Sequence, residues 1–249
     1  MRARVVGAGV GAVLLAVALG VQVARSGDTA ANDRPIVLAA ASLAEVLPRI
    51  FPEASYSFGS SSTIAEQIRR GAPYDVYLSA SPSYTQALRR ERLARDPVAF
   101  ATSSLVLVVP RANRAKIETV FDLAKRPMLK LVVAGPKVPI GLYTREVLAR
   151  LGLLEVLEET VSVEPDVKGI VGKVALGEAD AGFVYRTDVA PAASRVRAIA
   201  IPARAQPTVV YELAIAAEPR DLAAARDFVR AMLGPDGRSE LESARFGLP

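Results

Sequence analysis

From Pro35 onward, short apolar runs alternate with longer stretches in which apolar residues recur every three or four positions. The runs have the length of strands buried on both faces, and the longer stretches have the period of helices packed on one side. The pattern predicts strands over residues 36–40, 56–59, 74–79, 104–109, 130–134, 161–163, 182–185, 196–201 and 208–216. It predicts helices over residues 42–51, 63–70, 83–91, 120–124, 143–151, 167–176, 222–233 and 239–244. Such alternation makes an α/β protein with mixed, mostly parallel sheets flanked by helices. The long β-branched strands at 104–109 and 208–216 are spaced to pass between two lobes. One lobe then takes residues 34–105 with 208–249, and the other takes 106–207. No repeat, linker or low-complexity segment interrupts the chain after residue 35.

Two helix starts in this pattern carry more than packing. Ser42-Leu-Ala-Glu45 and the run Ser60-Ser61-Ser62-Thr63-Ile-Ala-Glu66 each follow a strand-like stretch, and each matches a capping box. The first turn of a helix leaves N–H groups without partners and carries the positive end of the dipole. Two such ends that converge, with serine hydroxyls to spare, hold an anion without any charged side chain. A single box reads as a helix start and nothing more. The alanine triplet at 39–41 before the first box, and the three consecutive serines of the second, turn the reading towards a site.

Composition narrows the chemistry. With 249 residues, 51% of them hydrophobic, the chain builds a large core in one big domain or two modest ones. It contains no His and no Cys. Ser-His-Asp and Cys-His catalysis, thiolate or imidazole metal sites and disulfides are therefore excluded, which leaves only carboxylate sites for hard cations. The net charge of +5 is spread along the chain. Its densest stretches, 89–95 and 111–116, lack interleaved aromatics and any reader motif, so no nucleic-acid partner is expected. A mild basic excess raises the encounter rate of an anionic ligand.

The N-terminus opens Met1-Arg2-Ala3-Arg4, runs apolar from residue 5 to about 24, and leaves through a polar stretch. That is the layout of an export signal, and its length also suffices to span a bilayer. No clear A-x-A site ends it, so residues 1–33 read as a signal peptide or a membrane anchor. In both cases the body of the protein lies outside the cytoplasmic membrane.

Six stretches in order carry a resemblance. They are Ala39-Ala-Ala-Ser-Leu43, Ser60-Ser-Ser-Thr63 with Gln67-Ile68, Gly71-Ala-Pro-Tyr-Asp-Val-Tyr-Leu-Ser-Ala80, Pro139-Ile-Gly-Leu-Tyr143, Asp166-Val167-Lys168 and Gly182-Phe-Val-Tyr185. With them the chain resembles the periplasmic molybdate-binding proteins of ABC importers, a branch of the type II two-lobed solute-binding proteins. The resemblance implies two lobes with a ligand cleft between them and molybdate or tungstate as ligand. It implies no cofactor, no protein-coordinated metal cation and no enzymatic turnover. The implied partners are an ABC permease and its cytoplasmic ATPase, the place is periplasmic or otherwise extracytoplasmic, and the carrier is a monomer. Membrane contact is then limited to an uncleaved N-terminus.

Carried over position by position, the resemblance makes Ser42 and Ser61 hydroxyl donors, with their N–H groups beside them. Ile140 and Val167 offer backbone N–H groups, and Tyr185 its phenol. Two departures from the family pattern stand out: a short span between Ser42 and the serine run, and Ser81 where an Asp is usual.

Neutral donors suit such a ligand. A fully deprotonated dianion accepts hydrogen bonds and donates none, whereas protonated phosphate leaves an O–H unmatched. An unpaired buried hydrogen costs roughly 1–3 kcal/mol. Sulfate shares the charge and shape of molybdate, so size has to sort those two. Tyr74, Tyr77 and Tyr143 read as packing residues, Lys137 and Lys168 as solvated surface, Asp75 as a strand end and Asp166 as a helix cap. The competing readings are a binder of sulfate, phosphate or a small organic anion, a Ser-Lys enzyme built on Ser61, and a membrane-anchored sensor.

Overall fold

The computed structural model describes residues 34–126 and 128–249, so residues 1–33, read above as a signal peptide or membrane anchor, lie outside the described residues. Residues from 34 onward form one compact unit. Among the described residues no helix is long and apolar enough to cross a membrane.

In chain order the strands are β1 Ile36–Ala40, β2 Ser55–Gly59, β3 Val76–Ser79, β4 Ala94–Ser103, β5 Leu105–Pro110, β6 Leu131–Ala134, β7 Thr160–Glu164, β8 Ala181–Tyr185, β9 Val196–Ala200 and β10 Val209–Ala216. The helices are α1 Leu47–Ile50, α2 Ser61–Arg69, α3 Pro82–Arg90, α4 Pro139–Leu151, α5 Val167–Leu176, α6 Leu222–Leu233 and α7 Pro235–Ser243. The strands form two five-stranded sheets, ordered β2-β1-β3-β10-β4 and β7-β6-β8-β5-β9.

Both sheets are mixed and mostly parallel: in each, four of the five strands run the same way and the fifth is reversed. In the first, β1 runs parallel to β2 and β3, while β10 runs antiparallel to β3 and β4. In the second, β6 runs parallel to β7 and β8, while β5 runs antiparallel to β8 and β9. The reversed strands β10 and β5 are the ones that enter just after the chain has crossed from the other sheet. Neither long strand itself passes between lobes. The crossings are Ser104, between β4 and β5, and residues 201–208, between β9 and β10. Gln206 ties the two crossings together: its Oε1 accepts the Leu105 N–H at 3.0 Å and its Nε2 donates to the Leu105 carbonyl at 2.8 Å.

Strand β4 has no counterpart in the sequence reading. Its Arg95-Asp96-Pro97 breaks the apolar alternation, Asp96 sits at φ 52°, and the register against β10 shifts nearby. An edge strand tolerates such a bulge and such a proline because one side of its ladder is unpaired.

Other boundaries move for local reasons. The helix expected over 42–51 is a 3-10 turn, Ala41–Leu43, followed by the short α1. Its capping box does not form: the residue before the turn is Ala40, and Glu45 instead reaches Lys168 Nζ at 3.6 Å. α2 starts two residues earlier than expected because Ser60 caps it, accepting the Thr63 N–H at 3.2 Å. Glu66 pairs with Arg69 and plays no part in that cap. α4 starts at Pro139 rather than 143, since proline suits the first helical position. α5 and α6 fall where the sequence puts them, closed in by the caps Asp166 and Asp221.

A continuous core joins Val37 and Leu43 of the first lobe to Leu107, Ile170 and Phe183 of the second. A smaller cluster, with Leu38, Ile64, Tyr77 and Leu88, backs the first sheet against α2 and α3.

Gly141 fixes where α4 begins. A Cβ there would lie 2.2 Å from the Gly135 carbonyl oxygen and 2.6 Å from that of Ala134, so only glycine lets the first turn rest on the end of β6. Gly141→Ala is expected to lower the stability of the protein by roughly 1–3 kcal/mol in urea denaturation. An unchanged midpoint would mean that α4 can lift off the strand freely.

Candidate functional site

Ser42, Ser61, Ile140, Val167 and Tyr185 come together around one small cavity. Each stands at the carboxyl end of a parallel strand, where open α/β sheets gather ligands. Ser42 lies in the turn after β1, and Ser61 opens α2 after β2. Ile140 lies in the first turn of α4 beyond β6, Val167 opens α5 beyond β7, and Tyr185 ends β8. The volume open to the centre of a water molecule is about 20 Å³. Organic ligands occupy roughly 300–1,000 Å³, so the space suits a few heavy atoms only.

The hydrogen-bond network leaves protons facing this space. First-turn N–H groups have no carbonyl within their own helix, and those of Ser61, Ile140 and Val167 are of this kind. Asp166 accepts the N–H groups of Lys168 and Gly169 at 2.8 and 3.2 Å, so the cap is used up on the two residues beyond Val167. Ser61 Oγ accepts the Ala80 N–H at 3.0 Å, which leaves its own hydrogen to give. Ser42 Oγ lies 2.9 Å from Tyr211 Oη, and with Tyr211 donating, Ser42 likewise keeps its proton for the cavity. Ser60, by contrast, donates to Thr63 Oγ1 within its own cap.

Tyr185 is the most telling of the five. Its hydroxyl is buried and has no hydrogen-bond partner. Burial pushes the phenol well above its usual range, so it is a neutral donor. No cationic side chain lines the cavity, and Asp166, which is acidic, is turned into its helix cap. The arrangement can grip a small acceptor-only anion and offers neither a nucleophile–base pair nor, among the described residues, a cluster able to hold a metal cation.

A family model of bacterial extracellular solute-binding proteins matches residues 37–246. The chain belongs to that family. A molybdate-binding protein ModA of Mycobacterium tuberculosis (strain ATCC 25618 / H37Rv) is 32% identical over 234 residues, covering 90% of this chain and 88% of its own. The ModA of Escherichia coli (strain K12) is 33% identical over 188 residues, 72% of each chain. In structure, the periplasmic molybdate-binding protein of Azotobacter vinelandii superposes with a TM-score of 0.78 at 27% identity, covering 87% of this chain and all of its own. The two-lobed fold of these solute-binding proteins is thus the fold of this one.

Several side chains around the site act differently from their sequence reading, or had none. Lys168 is more than solvated surface: besides Glu45 it reaches Asp188 Oδ1 at 3.7 Å. Tyr143 packs edge-on against Tyr185 as a packing residue should, and its hydroxyl also donates to the Ala80 carbonyl at 3.3 Å. Tyr77 packs too, and donates to the Ser61 carbonyl at 2.7 Å, which holds the start of α2. Tyr84 donates to the Lys137 carbonyl, so here too the lobes touch across the cleft. Asp75 is buried and takes the N–H groups of Ile36 and Arg220 at 2.7 and 2.6 Å. Ser81 caps α3.

Tyr211 and Asp188 carried no sequence signal. Tyr211 meets Ser42 across 169 residues of chain, and Asp188 lies in a short 3-10 turn after β8. Burial raises the Asp188 carboxyl to about 7, against the opposing pull of Lys168.

Two outcomes follow. Tyr185→Phe removes a buried hydroxyl that bonds to nothing, so the ligand-free protein is expected to unfold at the same or a higher urea concentration. A clear loss of stability would mean that the hydroxyl has a protein partner. Asp188 holds its proton in the folded chain up to about pH 7, whereas an ordinary Asp releases it near 3.8. Its stabilising contribution is therefore complete below the lower value and lost as pH rises to the upper one. Urea midpoints measured across that window should fall with pH in the natural protein and flatten in Asp188→Asn.

Proposed function

We propose that this protein captures molybdate, and tungstate with it, outside the cytoplasmic membrane and hands it to an ABC permease driven by a cytoplasmic ATPase. The observation that carries the reading is the convergence of Ser42, Ser61, Ile140, Val167 and Tyr185 on a cavity without a cationic wall, with the Tyr185 hydroxyl buried and unpartnered. Ser42, Ser61 and Tyr185 give O–H groups, and Ser61, Ile140 and Val167 give N–H groups. A fully deprotonated oxoanion accepts them all, while a protonated phosphate meets no acceptor for its own hydrogen. The names and likeness of the relatives support molybdate over other dianions.

Residues 34–105 with 208–249 form one closing lobe and residues 106–207 the other, and each brings donors to the anion. Ligand binds the closed state preferentially because only closure assembles both sets of donors. Residues 1–33 export the chain and are then removed or kept as an anchor, and the carrier works as a monomer. No bond is made or broken in the anion.

Isothermal titration with sodium molybdate, tungstate, sulfate and phosphate tests the reading. One-to-one binding of molybdate and tungstate is expected, with no displacement of molybdate by a large excess of sulfate. A hydrogen bond to a charged group contributes about 1.5–3 kcal/mol, so Ser42→Ala with Ser61→Ala, and Tyr185→Phe separately, should each weaken molybdate at least tenfold. Equal affinity for sulfate or phosphate would replace molybdate with another anion. Unchanged affinity in these variants would overturn the site.

A further inference from the structure

Lys168 follows Val167 in the first turn of α5, yet it does not line the cavity. Its side chain leaves the wall and runs between two carboxylates, Glu45 Oε1 at 3.6 Å and Asp188 Oδ1 at 3.7 Å. The two are unlike. The Glu45 side chain is 63% exposed, and that of Asp188 is 0% exposed. Neither Asp188 oxygen has a hydrogen bond of normal geometry. Asp188 also feels the Tyr185 and Tyr211 phenols and the Asp166 carboxylate, none of which offers it a positive charge. Burial strips a carboxylate of the solvation that ordinarily supports its charge, and Lys168 is the cation that faces this one.

This acid stands three residues beyond Tyr185, in the turn that β8 leads into. A dianion entering the cavity adds negative charge to the same poorly screened region, where like charges repel far more strongly than in water.

We infer that Lys168 sets the affinity for the anion without touching it, by neutralising Asp188 so that a dianion can be held next to a buried carboxylate. The inference rests on the oxoanion reading above and adds a residue that no donor list contains. Lys168 is a positioning residue in charge rather than in space. Removing it leaves a bare carboxylate, and the dianion then binds only if Asp188 first takes up a proton. That uptake becomes harder as the pH rises. Removing Asp188 as well takes away the need for Lys168. A lysine that bonded the anion directly would behave otherwise, because its loss could not be rescued from Asp188.

The test is a double-mutant cycle on the full-length chain, titrated with sodium molybdate at about pH 8.5, above the pH at which Asp188 loses its proton. Lys168→Met is expected to bind at least about tenfold more weakly, and Asp188→Asn to stay within about threefold of the natural protein. The double variant should return to within about threefold of Asp188→Asn, and Glu45→Gln, whose charge lies in water, should change affinity by no more than about twofold. Lowering the pH should restore binding to Lys168→Met and leave Asp188→Asn unmoved. A double variant as weak as Lys168→Met, or a Lys168→Met that binds normally, overturns the inference. Should Lys168→Met not fold, the comparison of pH profiles between the natural protein and Asp188→Asn decides: identical profiles overturn it. If the natural protein binds no molybdate, the function proposed above fails and this inference falls with it. Unequal urea midpoints of the ligand-free variants would then show the Lys168–Asp188 pair to be structural alone.

Discussion

A helix cannot satisfy the N–H groups of its own first turn, and this fold brings three such turns to one point. α2, α4 and α5 each begin just beyond a strand, and their first residues face the same small space. The neighbouring caps consume the surplus. Ser60 takes the N–H of Thr63, and Asp166 takes those of Lys168 and Gly169, so the groups left over are those next to the cavity. Gly141 belongs to the same scheme, because a side chain there would push the first turn of α4 away from β6. The result is a positive environment made from dipoles, fixed in direction by the backbone.

Aromatic packing supplies what backbone geometry does not. The Tyr185 ring is held edge-on by Tyr143 at 6.4 Å and by Tyr211 at 5.8 Å, and Tyr211 is held in turn by Phe100 and Phe246. Tyr143 and Tyr185 come from the second lobe, and Tyr211 with its neighbours from the first. An unbonded hydroxyl stays put because the ring beneath it has nowhere to turn. The same cluster reaches Ser42 through the Tyr211 hydroxyl, so one group of rings orients donors on both sides of the cleft.

How much of this could be read in the sequence depends on how local each feature is. α5 is legible to the residue because Asp166 caps one end and Gly177, at φ 74°, closes the other. The serine run is legible as a helix start, although the capping residue is Ser60 and not Thr63. The first serine box is not, because the short α1 with its Pro48 leaves only a 3-10 turn at Ser42. Strand β4 is hidden by charged residues and a proline at an edge, where burial alternates only weakly. Ile140 and Val167 enter through family resemblance alone, since a backbone N–H leaves no mark on side-chain composition. Tyr211 and Asp188 escape both routes, because what they do is decided by contacts far along the chain.

Gln206 joins the two places where the chain changes lobes, with both ends of its amide bonded to the backbone N–H and C=O of Leu105. Two covalent crossings clamped at a shared point behave as a single axle. Sliding one lobe past the other would shear both bonds of the amide, whereas turning about Leu105 keeps them. The closure proposed above is therefore expected to be a swing about this pivot, in which the mouth of the cleft travels far and the hinge scarcely moves.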